Sequence, residues 1–195
     1  MSIDAILLAG GRSSRMGCDK RLLEIDGRSF MDIQITKLCN TCAEHIWVSG
    51  SPLTAASGTD AHSYPKHTEF VDDIIPGNGP LGGLYSCLIR TNANAVLVIT
   101  IDVPLISPDT LNALISCHLD NKNDATVLSA ASSFEPLIAV YDTHVKPIIS
   151  ELISEERLAV RSLLDRISVG LFPSKEILTN SSTATAGRIT TGSFP

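Results

Sequence analysis

Short apolar runs alternate with stretches of helical periodicity along the first 170 residues. The first run, residues 5–9, ends at Gly10-Gly11, as a buried parallel strand does when it enters a tight loop. Similar runs predict further strands over residues 45–49, 70–71, 95–101, 125–128, 137–141 and 169–172. Between them, apolar spacing and capping signals at Ser29 and Ser107-Pro108 predict helices over residues 29–38, 81–89, 108–119 and 148–167, the last interrupted near Glu155.

Alternating strands and helices predict a protein of the α/β class. Its central sheet should be mostly parallel with helices on both faces, because parallel strands need crossover connections. In such sheets ligands bind beyond the carboxyl ends of the strands. We expect one domain over residues 1–178. The Ser-, Thr- and Gly-rich residues 179–195 are expected to form a flexible or divergent tail.

Composition excludes several classes of protein. With 195 residues, 44% hydrophobic and only 18% charged, the chain can bury a full core, which excludes extensive disorder. A net charge of −6 predicts repulsion from nucleic acid and from anionic membranes, so neither is expected as a partner. The chain has no apolar run of the roughly 20 residues that a membrane span needs and no basic flank of a signal peptide, so we expect a cytoplasmic protein.

Basic residues cluster beside the glycines that follow the first predicted strand. Glycines allow a sharp turn that presents backbone N–H groups to an anion, and basic side chains supply the charge that a polyphosphate requires. The alternative is an ordinary solvated loop. Neither the Walker nor the dinucleotide-binding pattern is matched. The cluster consists of Arg12, Arg15, Lys20 and Arg21.

Carboxylates follow two of the predicted strands. Asp102 comes after an apolar strand, so its side chain is placed at the carboxyl edge, where it can face the basic loop. A hard oxygen ligand opposite bound phosphates suits Mg²⁺, although an aspartate in this position also commonly caps a turn. Asp72 and Asp73 could contact a nucleoside, a second substrate or a metal. The glycine-rich residues 77–83 allow close approach of a substrate, or simply connect a strand to a helix.

Three sequence blocks carry a family resemblance. LAGGRSSRMGCDK near the start, GPLGGL at 79–84 and VITIDVPLI at 98–106 resemble the molybdenum cofactor guanylyltransferase family, often called MobA. With the later SFEPLIAVY and EERLAVRSLLDR, the resemblance covers about the first 170 residues. It implies a Rossmann-like three-layer sandwich of the nucleotidyltransferase type.

The resemblance also implies a reaction. Such enzymes transfer GMP from Mg²⁺-bound GTP to the terminal phosphate of molybdopterin, releasing pyrophosphate and forming the guanine dinucleotide cofactor. GTP and molybdopterin would be the substrates, Mg²⁺ the cofactor, and other cofactor-biosynthesis proteins or molybdoenzymes possible transient partners.

Site residues follow from the same resemblance. Asp102 would hold the magnesium and act in catalysis together with Lys20 and Arg15. Ser49 lies where the family often has an asparagine that touches the base. The full predicted nucleotide-binding set is Leu8, Ala9, Gly10, Gly11, Arg12, Lys20, Ser49, Asp73, Gly79 and Asp102.

Other activities stay open at this point. A related nucleotidyltransferase could use CTP or another phosphorylated acceptor. The chain could also be a catalytically silent nucleotide-binding protein, or a regulatory partner of molybdoenzymes.

Overall fold

The computed structural model describes residues 1–9, 20–50, 64–65, 67–75, 77–130, 133–174 and 189–191. Within these residues the strands are β1 (Ile3–Leu8), β2 (Leu23–Ile25), β3 (Arg28–Ser29), β4 (Ile46–Ser49), β5 (Thr68–Val71), β6 (Ala95–Thr100), β7 (Ala125–Ala130), β8 (Ser133–Asp142), β9 (Val169–Ser174) and β10 (Ile189–Thr191). The α-helices are α1 (Phe30–Cys39), α2 (Gly79–Leu88), α3 (Pro108–Asp120), α4 (Lys146–Ser154) and α5 (Val160–Leu164).

Seven of these strands form the central sheet, in the order β5-β4-β1-β6-β8-β7-β9. Every neighbouring pair is parallel except the two that include β8, which runs antiparallel to both β6 and β7. The chain has an α/β fold with a mostly parallel mixed sheet, as the alternating pattern predicted.

Helices cover both faces of this sheet. Alternate residues of β1 point to opposite faces, so Leu7 belongs to the core that contains α1 and α3, whereas Ile6 belongs to the core that contains α2, α4 and α5. Every residue of β1 is buried, which explains the continuous apolar run over its last four residues, 5–8.

The predicted helix starts at Ser29 and Ser107 are confirmed. Ser29 Oγ accepts a hydrogen bond from the Asp32 backbone N–H (3.0 Å), and Ser107 Oγ accepts one from the Thr110 N–H (3.1 Å). The helical region predicted over 148–167 is two helices. They are separated at Glu156, whose φ of +57° is incompatible with a continuous helix.

A second sheet was not predicted from the sequence. It has three short antiparallel strands in the order β10-β2-β3, and the turn between β2 and β3 is formed by Asp26 and Gly27, both with positive φ. β10 lies within the predicted tail. The other tail residues are outside the described ranges, so the domain boundary at 178 stays a prediction.

Four adjacent strands end together at one edge of the central sheet. Leu8 at the end of β1 pairs in register with Ser49 of β4 and Thr100 of β6, and Ser49 pairs with Val71 of β5. From β1 the chain first builds the sheet toward β4 and β5 and then crosses to β6 on the other side of β1. The edge between β1 and β6 is therefore the topological switch point, where sheets of this kind bind ligands. No helix among the described residues has the length and hydropathy to span a membrane.

Candidate functional site

Lys20 and Asp102 meet at the switch point. The Lys20 Nζ lies 2.9 Å from Asp102 Oδ1 and 3.0 Å from Oδ2, so the ammonium contacts both carboxylate oxygens. The two side chains are 28% and 32% exposed, which leaves the pair accessible to a ligand. The residues that the sequence assigned to phosphate and to metal are thus held in direct contact.

Burial of its neighbours places Asp102 at this edge. Ile101 continues β6 by donating its backbone N–H to the Leu8 carbonyl (3.1 Å). Ile101 and Val103 are both buried in the core beneath α1 and α3, whereas the intervening Asp102 is only partly buried. The apolar residues on either side therefore fix a short segment from which the carboxylate projects beyond the strand.

Asp73 lies two residues beyond the end of β5, the edge strand next to β4. Its side chain is half-buried, and its Oδ1 has no hydrogen-bond partner among the residues that the structure describes. Burial raises the pKa of the Asp73 carboxyl, and the nearby Asp72 carboxylate raises it further. An ionised carboxylate in this position is unfavourable in the free protein, and it would be stabilised by a donor that a ligand supplies.

The packing of α2 buries the Ser49 hydroxyl. A Cβ atom on Gly83 would lie 2.6 Å from Ser49 Oγ and 3.4 Å from Leu8 Cδ2, so the helix approaches the strand ends this closely only with glycine. Ser49 is 2% exposed, and Leu8 and Ala9 are also buried. Ser49 is at the predicted edge with its side chain packed against α2, and its predicted contact with the base stays a prediction.

The remaining predicted residues divide into two groups. Gly79 begins α2 with a φ of +58° and is exposed at the same edge of the sheet. Gly10, Gly11, Arg12 and Arg15 lie outside the described residues, so their predicted roles stay predictions.

Two polar residues of α1 were missed by the sequence analysis. Gln34 and Lys37 are buried and hydrogen-bond to backbone carbonyls near Asp102. The sequence does contain a signal for them, since two polar residues spaced i, i+3 interrupt an otherwise apolar helix face. The periodicity predicted the helix but gave these two residues no separate role.

The donor set fits Mg²⁺ bound together with a substrate. No cluster of three or more His, Cys, Asp or Glu side chains suited to a metal occurs in the described part of the chain. Mg²⁺ is usually held by one or two carboxylates with substrate phosphate oxygens and water, rather than by an all-protein cage. Asp102 can supply such a carboxylate, because it is partly exposed and both of its oxygens already contact the Lys20 ammonium.

Cys87 in α2 is unsuited to nucleophilic catalysis. Burial, together with the charge of Asp73, raises the pKa of its thiol to about 12. The thiolate, which is the nucleophilic form, is therefore scarce at neutral pH.

Comparison with known proteins assigns the family. The family model described as the MobA-like NTP transferase domain matches residues 5–170, which include the whole of the site described above. The chain belongs to this family. It is therefore a nucleotidyltransferase, and the resemblance seen in the sequence is confirmed.

Relatives of the MobA-like family align over most of the chain. A probable molybdenum cofactor guanylyltransferase from Methanothermobacter thermautotrophicus is 33% identical over 164 residues, covering 83% of this chain and 82% of the relative. Among solved structures, the molybdopterin-guanine dinucleotide biosynthesis protein A of Archaeoglobus fulgidus superposes with a TM-score of 0.71 at 20% identity, covering 87% of this chain and 83% of that one. A Mycobacterium tuberculosis protein solved as a complex with manganese has a TM-score of 0.66 at 17% identity, covering 90% and 89%.

Proposed function

We propose that this protein transfers GMP from Mg²⁺-bound GTP to the terminal phosphate of molybdopterin in the cytoplasm. The observation that carries the proposal is the contact of Lys20 with both oxygens of Asp102 at the switch point between β1 and β6. The relative from Methanothermobacter thermautotrophicus, named a probable molybdenum cofactor guanylyltransferase, supports the choice of nucleotide and acceptor.

Five described residues are assigned roles at the carboxyl edge. Lys20 leaves Asp102 to bind the GTP phosphates, and the Asp102 carboxylate would hold Mg²⁺ when the metal is bound. The backbone at Leu8 and Ala9 lies against the guanosine, since the side chains of both residues are buried. The partly buried Asp73 carboxylate accepts a hydrogen bond from the nucleotide.

Other residues complete the nucleotide site. The Gly10-Gly11 turn, Arg12 and Arg15 are assigned to the phosphates on sequence grounds. Gly79 lets the start of α2 approach the bound nucleotide.

The reaction needs positioning and charge stabilisation rather than a protein nucleophile. An oxygen of the molybdopterin phosphate attacks the α-phosphorus of GTP, a new P–O bond forms, and the bond from the α-phosphorus to the bridging oxygen breaks, so that pyrophosphate leaves. Lys20 stabilises the negative charge that builds on the phosphate oxygens. Mg²⁺ supplies charge neutralisation of the triphosphate when it is bound. The raised pKa of the Cys87 thiol agrees with a reaction that forms no covalent enzyme intermediate.

A divalent metal is supported by two observations. The Asp102 carboxylate is an oxygen donor of the kind that Mg²⁺ and Mn²⁺ prefer. The structurally similar Mycobacterium tuberculosis protein was solved with manganese.

Pyrophosphate release tests the proposal. The protein is supplied with each nucleoside triphosphate in turn, with and without molybdopterin that carries molybdenum. We expect release from GTP only when the acceptor is present, together with formation of the guanine dinucleotide. Release from CTP instead of GTP would assign a cytidylyl transfer, and release that needs a different phosphorylated acceptor would overturn the choice of molybdopterin.

Binding without turnover would identify a different class of protein. A catalytically silent nucleotide-binding protein would bind Mg²⁺-GTP and release no pyrophosphate. A regulatory partner would form a stable complex with a molybdoenzyme in the absence of GTP. Calorimetry with GTP and co-elution with a molybdoenzyme distinguish these outcomes.

A further inference from the structure

Gln34 and Lys37 form a buried polar pair on the face of α1 that packs against the sheet. Gln34 is 0% exposed and Lys37 is 7% exposed. The Lys37 Nζ donates a hydrogen bond to Gln34 Oε1 at 2.9 Å, one helical turn away. The other buried residues of α1 are apolar: Phe30, Met31, Ile35 and Leu38.

Both side chains reach from α1 to the backbone around Asp102. Gln34 Nε2 donates to the Thr100 carbonyl at 2.8 Å, and Lys37 Nζ donates to the Pro104 carbonyl at 2.8 Å. Thr100 and Pro104 are two residues before and two residues after Asp102. The pair therefore holds both ends of the segment 100–104, with Asp102 at its centre.

The buried side chains of Ile101 and Val103 anchor the middle of this segment, and Gln34 and Lys37 add bonds to the backbone at its two ends. The segment lies between the end of β6 at Thr100 and the start of α3 at Pro108, where backbone carbonyls need partners outside regular secondary structure. Without Gln34 and Lys37, the carbonyls of Thr100 and Pro104 would lose these hydrogen bonds.

Stability alone does not explain why Gln34 and Lys37 occupy these buried positions. Burial of an ammonium group has a large desolvation cost, and apolar residues of similar volume are often as stabilising or more so. A lysine and a glutamine among four apolar core residues are therefore better explained by what they hold in place. They hold the segment that carries Asp102, and the position of the Asp102 carboxylate decides where a cation binds.

We propose that Gln34 and Lys37 are positioning residues that fix the Asp102 carboxylate for the divalent cation. This inference rests on the proposed function only in assigning the cation to Asp102. Hydrogen bonds that orient a metal ligand typically contribute 10–100-fold to metal affinity, and we expect an effect of about tenfold or more.

The test compares two polar-to-apolar variants with a packing control on the same helix. Lys37→Met removes the bond to Pro104, and Gln34→Met removes the bond to Thr100. Ile35→Val, at a 2% exposed position between them, lowers stability without removing a polar contact. Gln34→Met also provides a second route if Lys37→Met does not fold.

Two measurements are made on each full-length variant, well below its melting temperature. Hydrogen exchange reports whether the backbone amides of residues 101–106 become less protected. Electron paramagnetic resonance titration with Mn²⁺ in the presence of GTP reports metal affinity.

We expect both polar variants to speed exchange in residues 101–106 and to weaken Mn²⁺ binding about tenfold or more, while Ile35→Val changes only the melting temperature. Unchanged exchange in this segment would overturn the inference. Faster exchange with wild-type Mn²⁺ affinity would overturn it too, because the pair would then serve stability alone. Failure of the wild-type protein to bind Mn²⁺ with GTP would instead overturn the proposed metal site, whereas the exchange data would still decide whether the pair holds the segment.

Discussion

Removal of the Lys20 ammonium should change two binding affinities in opposite directions. In the free protein Lys20 contacts both oxygens of Asp102, so it competes with a divalent cation for that carboxylate. In the nucleotide complex, by our proposal, Lys20 binds the phosphates. Lys20→Met should therefore strengthen metal binding when nucleotide is absent and weaken GTP binding.

The size of the first effect follows from the geometry. The Lys20 Nζ lies 2.9 Å from the nearer Asp102 oxygen. At an effective dielectric constant near 20, that separation gives a gross attraction of about 6 kcal/mol. Because both side chains are roughly a third exposed, desolvation and screening reduce the net value to about 1.5 kcal/mol. Loss of the pair should thus raise the Mn²⁺ affinity of the free protein about tenfold.

Mn²⁺ titration followed by electron paramagnetic resonance measures this directly. The matched control is Lys122→Met, which removes the same charge at an exposed position between α3 and β7. Only the Lys20 variant should bind Mn²⁺ more tightly without nucleotide, and its GTP affinity should fall by about 10- to 150-fold as charged hydrogen bonds are lost. Two results would show that Lys20 does not compete with the cation for Asp102. One is an unchanged Mn²⁺ affinity in the Lys20 variant, and the other is an equal rise in Mn²⁺ affinity in both variants.

Three further predictions concern the same edge of the sheet. Asp102→Asn should lower Mg²⁺-dependent pyrophosphate release by about 100-fold or more, because the metal's carboxylate ligand is lost. The control Asp120→Asn, at an exposed position, should leave the rate unchanged. Equal rates in the two variants would exclude the metal role of Asp102. Gly83→Ala should lower the free energy of unfolding by about 1–3 kcal/mol, since its Cβ meets Ser49 Oγ, and Ser49→Ala should partly restore it in the double variant. Denaturant titration checks this, and an unchanged midpoint for Gly83→Ala would be inconsistent with the close packing of α2. Asp73→Asn should stabilise the free protein at pH 7, because the raised pKa of Asp73 disfavours its ionised form in the folded state. The gain should vanish as the pH falls below about 4, where the carboxyl is protonated in both states, and a gain independent of pH would contradict the assigned cause.

The central strands β1 and β6 could be predicted from the sequence because they are almost completely buried. For that reason residues 5–8 and 95–99 are continuous apolar runs, and Ser29 and Ser107 carry local capping signals. The small second sheet could not be predicted in this way. Its strands have two or three residues, too few to establish a periodicity.

The sequence could single out residues that lie at the strand ends, but it could not give the contacts between them. Strand ends pointed to Asp102, and local charge density pointed to Lys20. Their ion pair joins positions 82 residues apart, and no local pattern encodes it. The same holds for the bond from Gln34 to Thr100, which spans 66 residues and depends on how α1 packs against the sheet. The burial of the Ser49 hydroxyl could not be predicted either, because it depends on the approach of α2 at Gly83.

A crystal structure with Mn²⁺ and a non-hydrolysable GTP analogue tests whether Asp102 holds the metal while Lys20 binds the phosphates. We predict an anomalous manganese peak at coordination distance from the Asp102 carboxylate, with the Lys20 ammonium moved onto the phosphates. Nucleotide and manganese bound elsewhere, with Lys20 still 2.9 Å from Asp102, would contradict the account.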